Sequence, residues 1–215
     1  MRGSYRLRFA VANSLFLLGA LIGMSRQSFA APAQDLLVLD PARSRIAFTL
    51  EGNLHTVHGT FALKRGTVRI DPKTGLAGGE VVIDAVSGDS NDKLRDDKMK
   101  DDILKVGQYP EISLLPAAIE AHRDSNGNFQ GTMKGVVVLH GESHQQVLAI
   151  TGRIEGDELT ATTNLTIPYV EWGMKNPSFL LFRVRDTVDV EITAIGHLAW
   201  ADRAARDQTA VGMMP

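Results

Sequence analysis

The residues able to do chemistry in this 215-residue chain fall into three groups, and histidine is the first. Of the six histidines, His55 and His58 stand three apart and His140 and His144 four apart. A closed zinc site needs about four convergent ligands. Along an extended strand, residues three apart point to opposite faces, so His55 and His58 cannot share an ion without a bulge. His140-Gly141-Glu142-Ser143-His144 has the look of a zinc-protease motif, but the His-Glu-x-x-His order is absent and its flanks are strand-like. It reads as a hairpin tip. The second group is serine: Gly141-Glu142-Ser143-His144-Gln145 and Gly88-Asp89-Ser90-Asn91-Asp92 begin like nucleophile elbows and lack the closing glycine. Neither a metal requirement nor hydrolysis is expected.

The third group is aromatic and apolar. Ile167-Pro168-Tyr169-Val170-Glu171-Trp172-Gly173-Met174-Lys175-Asn176-Pro177 sets two large aromatics between prolines, so it must be a strand end and loop. Tyr169 and Trp172 have two uses there: packing one end of the fold, or lining a mouth through which an apolar ligand enters. Arg183 and Arg185, two apart, share a face of any regular strand, either as solvated exterior or as recruiters of an anionic headgroup.

The elements that would position these residues are strands. In Arg45 to Leu50, Ile46, Phe48 and Leu50 alternate with a second set. The same period is read in Val57 to Phe61, in Val136 to Leu139, in Leu159 to Tyr169 through Leu165 and Ile167, and in Val188, Val190 and Ile192. On that parity the interior carries Ile46, Phe48, Leu50, Val57, Phe61, Val136, Val138, Leu165, Ile167, Val188, Val190 and Ile192. Turn chemistry separates the runs, as in Asp71-Pro72-Lys73-Thr74-Gly75, Asp124-Ser125-Asn126-Gly127-Asn128 and Glu155-Gly156-Asp157. Many such strands without alternating long helices indicate an antiparallel barrel or sandwich. One segment, Ser90 to Lys105, breaks the pattern. Its Leu94, Met99, Ile103 and Leu104 punctuate a charged run that suits a polar surface helix capped by Asp89 or Ser90.

Residues 1–30 hold Arg2, Arg6, Arg8 and Arg26, no acid, and the apolar run Phe9 to Met24, followed by Ser28-Phe29-Ala30-Ala31-Pro32-Ala33. This is the pattern of a secretory signal cleaved near Ala30 or Ala33; the run is short for a membrane span, which needs about 20 apolar residues. Past residue 30 there remain 19 basic side chains against 25 acidic, a balance that speaks against a nucleic-acid partner. With no cysteine to cross-link it, the exported chain must hold by packing. The organisation expected is a signal at 1–30, one domain over 31–200 and a flexible tail over 201–215, in the periplasm if the host is Gram-negative.

Leu39-Asp40-Pro41-Ala42-Arg43-Ser44-Arg45-Ile46-Ala47-Phe48-Thr49-Leu50 followed by His58-Gly59-Thr60-Phe61 resembles the opening of the YceI-like family. Asp97 to Leu104 with Tyr109-Pro110-Glu111-Ile112, Val138-Leu139-His140-Gly141 and Val188-Asp189-Val190-Glu191-Ile192 extend the likeness over about residues 36–198. The resemblance implies an all-β protein with one short helix, an antiparallel lipocalin-like barrel of about eight strands. Its apolar interior would hold a polyisoprenoid or similar long-chain lipid, with no catalysis and no cofactor. Ligand contacts would come from Phe48, Leu50, Val57, Phe61, Val138, Leu165, Ile167, Tyr169, Trp172 and Val190. Where many members carry an Arg-x-Asp-Phe-Gly-like tract, this chain has Pro168-Tyr169-Val170-Glu171-Trp172-Gly173. A barrel of this size can equally be filled by its own side chains. The competing expectation is therefore a non-catalytic, stress-associated or structural barrel acting through protein partners, with a homodimer open to either.

Overall fold

Alternation and turn chemistry produce nine antiparallel strands in the computed structural model, which describes residues 34–201. The expected signal segment and the tail beyond Ala201 lie outside the described residues. The strands are β1 (Asp35–Leu39), β2 (Arg45–Leu50), β3 (Val57–Ile70), β4 (Ala77–Asp89), β5 (Glu111–Arg123), β6 (Asn128–Leu139), β7 (Glu142–Glu155), β8 (Glu158–Ile167) and β9 (Val188–Ala199).

From β2 the hydrogen-bonded order runs through β9, β8, β7, β6 and β5 to β4, and β4 pairs with β3 to close the sheet on itself. The two short strands share one position in the wall. β2 lies between residues 57–61 of β3 and 189–193 of β9, and β1 between residues 67–70 and 196–199 of the same two strands. Nine strands thus make a closed barrel of eight positions. Closure removes the free sheet edges that would otherwise template aggregation.

The connections differ at the two ends. At one end they are tight: Asp71 accepts from Lys73 N at 2.8 Å, and Asp124 accepts from the backbone N–H groups of Asn126 and Asn128, each at 2.9 Å. These bonds to the charged carboxylate hold both Asp71 and Asp124 below the usual range; the chief causes are the Lys73 backbone N–H and the Asn128 side chain. At the other end run three longer connections, residues 51–56, 90–110 and 168–187.

Two expectations need correction. Val136 and Val138 do not point inward. Val137 and Leu139 do, at 6% and 5% exposure. The hairpin decides this: His140 and Gly141 take φ of +55° and +81°, and pair Leu139 with Glu142. Two left-handed residues are what a tight two-residue turn requires, and that turn fixes the strand parity. The helix is also shorter and less polar in role than expected. It is capped by Asp92, which accepts from Arg95 N at 3.1 Å, and α1 (Lys93–Lys98) continues as a wider π-helical turn over Met99–Leu104. Ser90, expected as a cap, is instead buried with Asp96. The Asp96 carboxylate accepts from Ser90 N and Oγ, while Arg95 donates to Ser90 Oγ and O at 2.7 and 2.6 Å. This knot ties the helix to the end of β4. Among the described residues no helix is long and apolar enough to cross a membrane.

Candidate ligand cavity

The end of the barrel bearing the long connections is hollow. A cavity of about 150 Å³ lies there. β2 contributes Ile46, Phe48 and Leu50, β3 contributes Phe61, and β8 and β9 add Leu165, Ile167, Val188, Val190 and Ile192. Opposite stand Ile112 and Leu114 of β5, Val137 and Leu139 of β6, and Leu148 of β7. The roof comes from the long connections: Met99, Ile103 and Leu104 from the helical segment, and Tyr169, Met174 and Pro177 from the tract after β8.

Glycine permits the close packing of the wall at Phe48. Gly59 pairs with Phe48 across β2 and β3, and a Cβ at Gly59 would sit 2.3 Å from the Phe48 ring. With no side chain there, Phe48 lies flat along the wall and reaches Phe61, ring centres 5.3 Å apart.

No charged side chain lines this space, and the two polar ones are already bonded. Ser113 Oγ donates to Glu80 at 2.9 Å. Tyr169 donates its hydroxyl to the Arg185 carbonyl at 2.7 Å. Burial, with Asp186 nearby, pushes the Tyr169 phenol up to about 12, so it stays a neutral donor at any physiological pH. The cavity therefore offers a guest contact with hydrocarbon and almost nothing else.

Of the residues expected to touch a ligand, Phe48, Leu50, Phe61, Leu165, Ile167, Tyr169 and Val190 stand on the wall. Val57 is buried opposite Leu50 but off the wall, and Val138 is off it by parity. Trp172 is also off the wall. Its ring stacks on His144 with centres 3.8 Å apart and planes 2° from parallel, and it packs against the cluster around Val137 and Leu139. Both aromatics are buried, Tyr169 at 5% and Trp172 at 9% exposure, so each packs this end of the fold and Tyr169 also lines the cavity. Sequence reasoning missed the helical part of the roof. The spacing of Met99, Ile103 and Leu104 was the available signal, an apolar stripe in a charged helix.

The histidines are dispersed. His55 stacks on Phe182, His58 Nδ1 lies 3.1 Å from Thr49 Oγ1, His140 packs against Tyr109, and His144 lies under Trp172. Among the described residues no three metal-binding side chains converge. Burial, helped by Lys105, lowers the His140 pKa from its ordinary value. Arg183 and Arg185 are exposed, and Arg185 pairs with Glu51 at 2.6 Å.

A model of the YceI-like domain matches residues 37–195 of the chain. Among solved structures, BcnA of Burkholderia cenocepacia is 18% identical and superposes with a TM-score of 0.56, over 73% of this chain and 98% of that one. A polyisoprenoid binding domain from Saccharophagus degradans, implicated in plant cell wall breakdown, is 16% identical with a TM-score of 0.59, over 76% and 98%. At these identities the likeness shows a shared fold. No curated protein matches the sequence.

Proposed function

The chain belongs to the YceI-like domain family, and from that premise we propose that it is a non-catalytic binding or carrier protein for a long-chain, isoprenoid-like lipid. The observation that carries this reading is the hollow half of the barrel, whose wall is hydrocarbon and whose two polar side chains are already satisfied. The Saccharophagus degradans domain of the same fold is described as polyisoprenoid binding, which favours the same ligand class here.

The energetics suit a slender apolar chain. Each buried methylene stabilises by about 0.8 kcal/mol, so ten carbons supply roughly 8 kcal/mol before the costs of association. A cavity of about 150 Å³ is of the size that stays dry and admits a small apolar solute. A longer guest requires the roof, Met99 to Leu104 and Tyr169 to Pro177, to move aside. On this reading Phe48, Leu50, Phe61, Leu165, Ile167, Tyr169 and Val190 touch the ligand, joined by Met99, Ile103 and Leu104. A cleaved signal over residues 1–30 delivers the domain over 31–200, with its tail, to the periplasm.

Solvent extraction of the purified protein followed by mass spectrometry tests the proposal. A stoichiometric long-chain lipid, lost on substituting Val190 by Phe to fill the cavity, supports it. A lipid-free protein that neither takes up a polyprenyl probe nor changes with that substitution would point to the filled barrel acting through protein partners.

A further inference from the structure

The tract that roofs the cavity also carries a projection that internal packing does not explain. Phe179 and Phe182 exchange both backbone hydrogen bonds at 2.9 Å, which closes a two-residue turn at Leu180 and Leu181. Such turns ordinarily hold Gly, Asn or Asp. Here Leu180 takes a left-handed φ of +50°, a conformation that costs an L-residue with a full side chain. The two leucines are 77% and 86% exposed, Phe179 is 69%, and Leu54 on the adjoining connection is 71%. Backbone preference and hydration both oppose leucine at these positions.

The projection is held firmly in place. Asn53 Nδ2 donates to the Leu181 carbonyl and Asn53 Oδ1 accepts from Arg183 N, both at 2.9 Å. Gly52 bridges Val184, and His55 stacks on Phe182 with ring centres 4.9 Å apart. Leu54 and the leucine tip are thereby tied into one apolar patch at the hollow end. A patch of large, bare apolar side chains on a water-exposed tip marks a contact surface.

We propose that this patch dips into the surface of an anionic lipid bilayer. Shape and charge select that partner. The tip is a convex turn that offers a partner strand no free run of backbone groups. Residues 168–187 carry Lys175, Arg183 and Arg185 against Glu171 and Asp186, and Arg185 is taken up by Glu51 of the adjoining connection, in a chain that past residue 30 holds 19 basic side chains against 25 acidic. Lys175 and Arg183 are exposed and form no ion pair among the described residues. Apolar side chains at a tip with cations behind them form the pattern that seats a protein at an anionic lipid interface. Because Tyr169, Met174 and Pro177 of the same tract roof the cavity, contact there brings the roof to the bilayer. The inference does not rest on the cavity's being occupied, since bilayer binding is read without measuring any guest.

The test is co-sedimentation of the protein with vesicles of phosphatidylcholine containing phosphatidylglycerol, and with vesicles of phosphatidylcholine alone. The expected result is binding that is stronger to the anionic vesicles and weakened by salt. The double variant Leu180→Ser, Leu181→Ser should lose about tenfold or more in vesicle affinity at an unchanged melting temperature. Wild-type protein left in the supernatant, or a double variant that sediments equally, overturns the proposal. So does a dimer in vesicle-free solution that the same substitutions dissociate, which would assign the patch to a second copy. Should the double variant melt early, Leu181→Trp decides: a blue-shifted emission on adding anionic vesicles supports insertion, and unchanged emission overturns it.

Discussion

The two ends of this barrel are built from the same strands and use their interior differently. At the end with tight turns, Leu37, Leu39, Leu63, Val68, Leu159 and Leu198 pack into one buried cluster, with Phe129 and Trp200 against it. At the other end, Phe48, Leu50, Leu165, Ile167 and Val190 form one side of a cavity of about 150 Å³, with Ile112, Leu114, Val137 and Leu139 on the other. The packed end holds the fold, and the hollow end is free to bind. A single closed sheet can divide these tasks because each strand crosses both halves, so stability built at one end keeps the wall in register at the other.

Substitutions can break that comparison, beginning with the largest effect. Leu198→Ala, in the packed cluster at 4% exposure, should cost about 2 to 5 kcal/mol in urea unfolding. Leu165→Ala borders space that is already empty, forfeits fewer contacts, and should cost less than the low end of that range. Equal losses would mean the two ends are packed alike.

Trp172→Ala unstacks His144 and opens the rim, and a loss of about 3 kcal/mol, the low end for a large aromatic, is expected at this rim position. Because Trp172 stands off the wall, affinity for a polyprenyl probe should hold within about threefold, well under 1 kcal/mol. A large drop in affinity at constant stability would return Trp172 to the binding surface.

Tyr169→Phe keeps the ring on the cavity wall and removes its bond to the Arg185 carbonyl, which should cost about 1 kcal/mol of stability, read by thermal melting. Probe affinity should change little, since the hydroxyl faces the backbone and is already bonded.

The smallest effect concerns pH at the rim. Folding lowers the His140 pKa, so the folded protein resists a proton that the unfolded chain accepts near pH 6.5. The stability His140 contributes is therefore complete above about pH 6.5 and is lost as pH falls through the lowered folded value. His140→Asn retains a residue that tolerates the left-handed turn and should flatten the difference in melting temperature between neutral and mildly acidic buffer. An unchanged difference would place the proton elsewhere.

Much of this was legible in residue order. Ile46, Phe48 and Leu50 alternate with residues of the opposite face, and their inward parity follows from that alone. The Asp71 and Asp124 turns were legible because an aspartate followed by proline, asparagine or glycine leaves the chain few alternatives. The run Val136-Val137-Val138-Leu139 was not legible, because four apolar residues in a row present the same face at either parity. The hairpin at His140 and Gly141 made that choice. The helical segment looked like a solvated surface because its charges outnumber its apolar side chains, and only its docking through Ser90, Arg95 and Asp96 turned Met99 and Ile103 over the cavity.

The sequence by itself therefore determined the strand period, the turns, the antiparallel class and which side chains of the clearly alternating strands face inward, since each depends on residues within a few positions of one another. Tertiary structure alone decided that one half of the interior is filled and the other keeps a cavity of about 150 Å³. Free volume is the difference between the space a closed wall encloses and the side chains that several strands send into it. Leu37, Leu63, Leu159 and Leu198 meet at one end from distant parts of the chain, while at the other Phe48 and Leu165 line a space that the side chains around it leave open, and no local pattern records that sum.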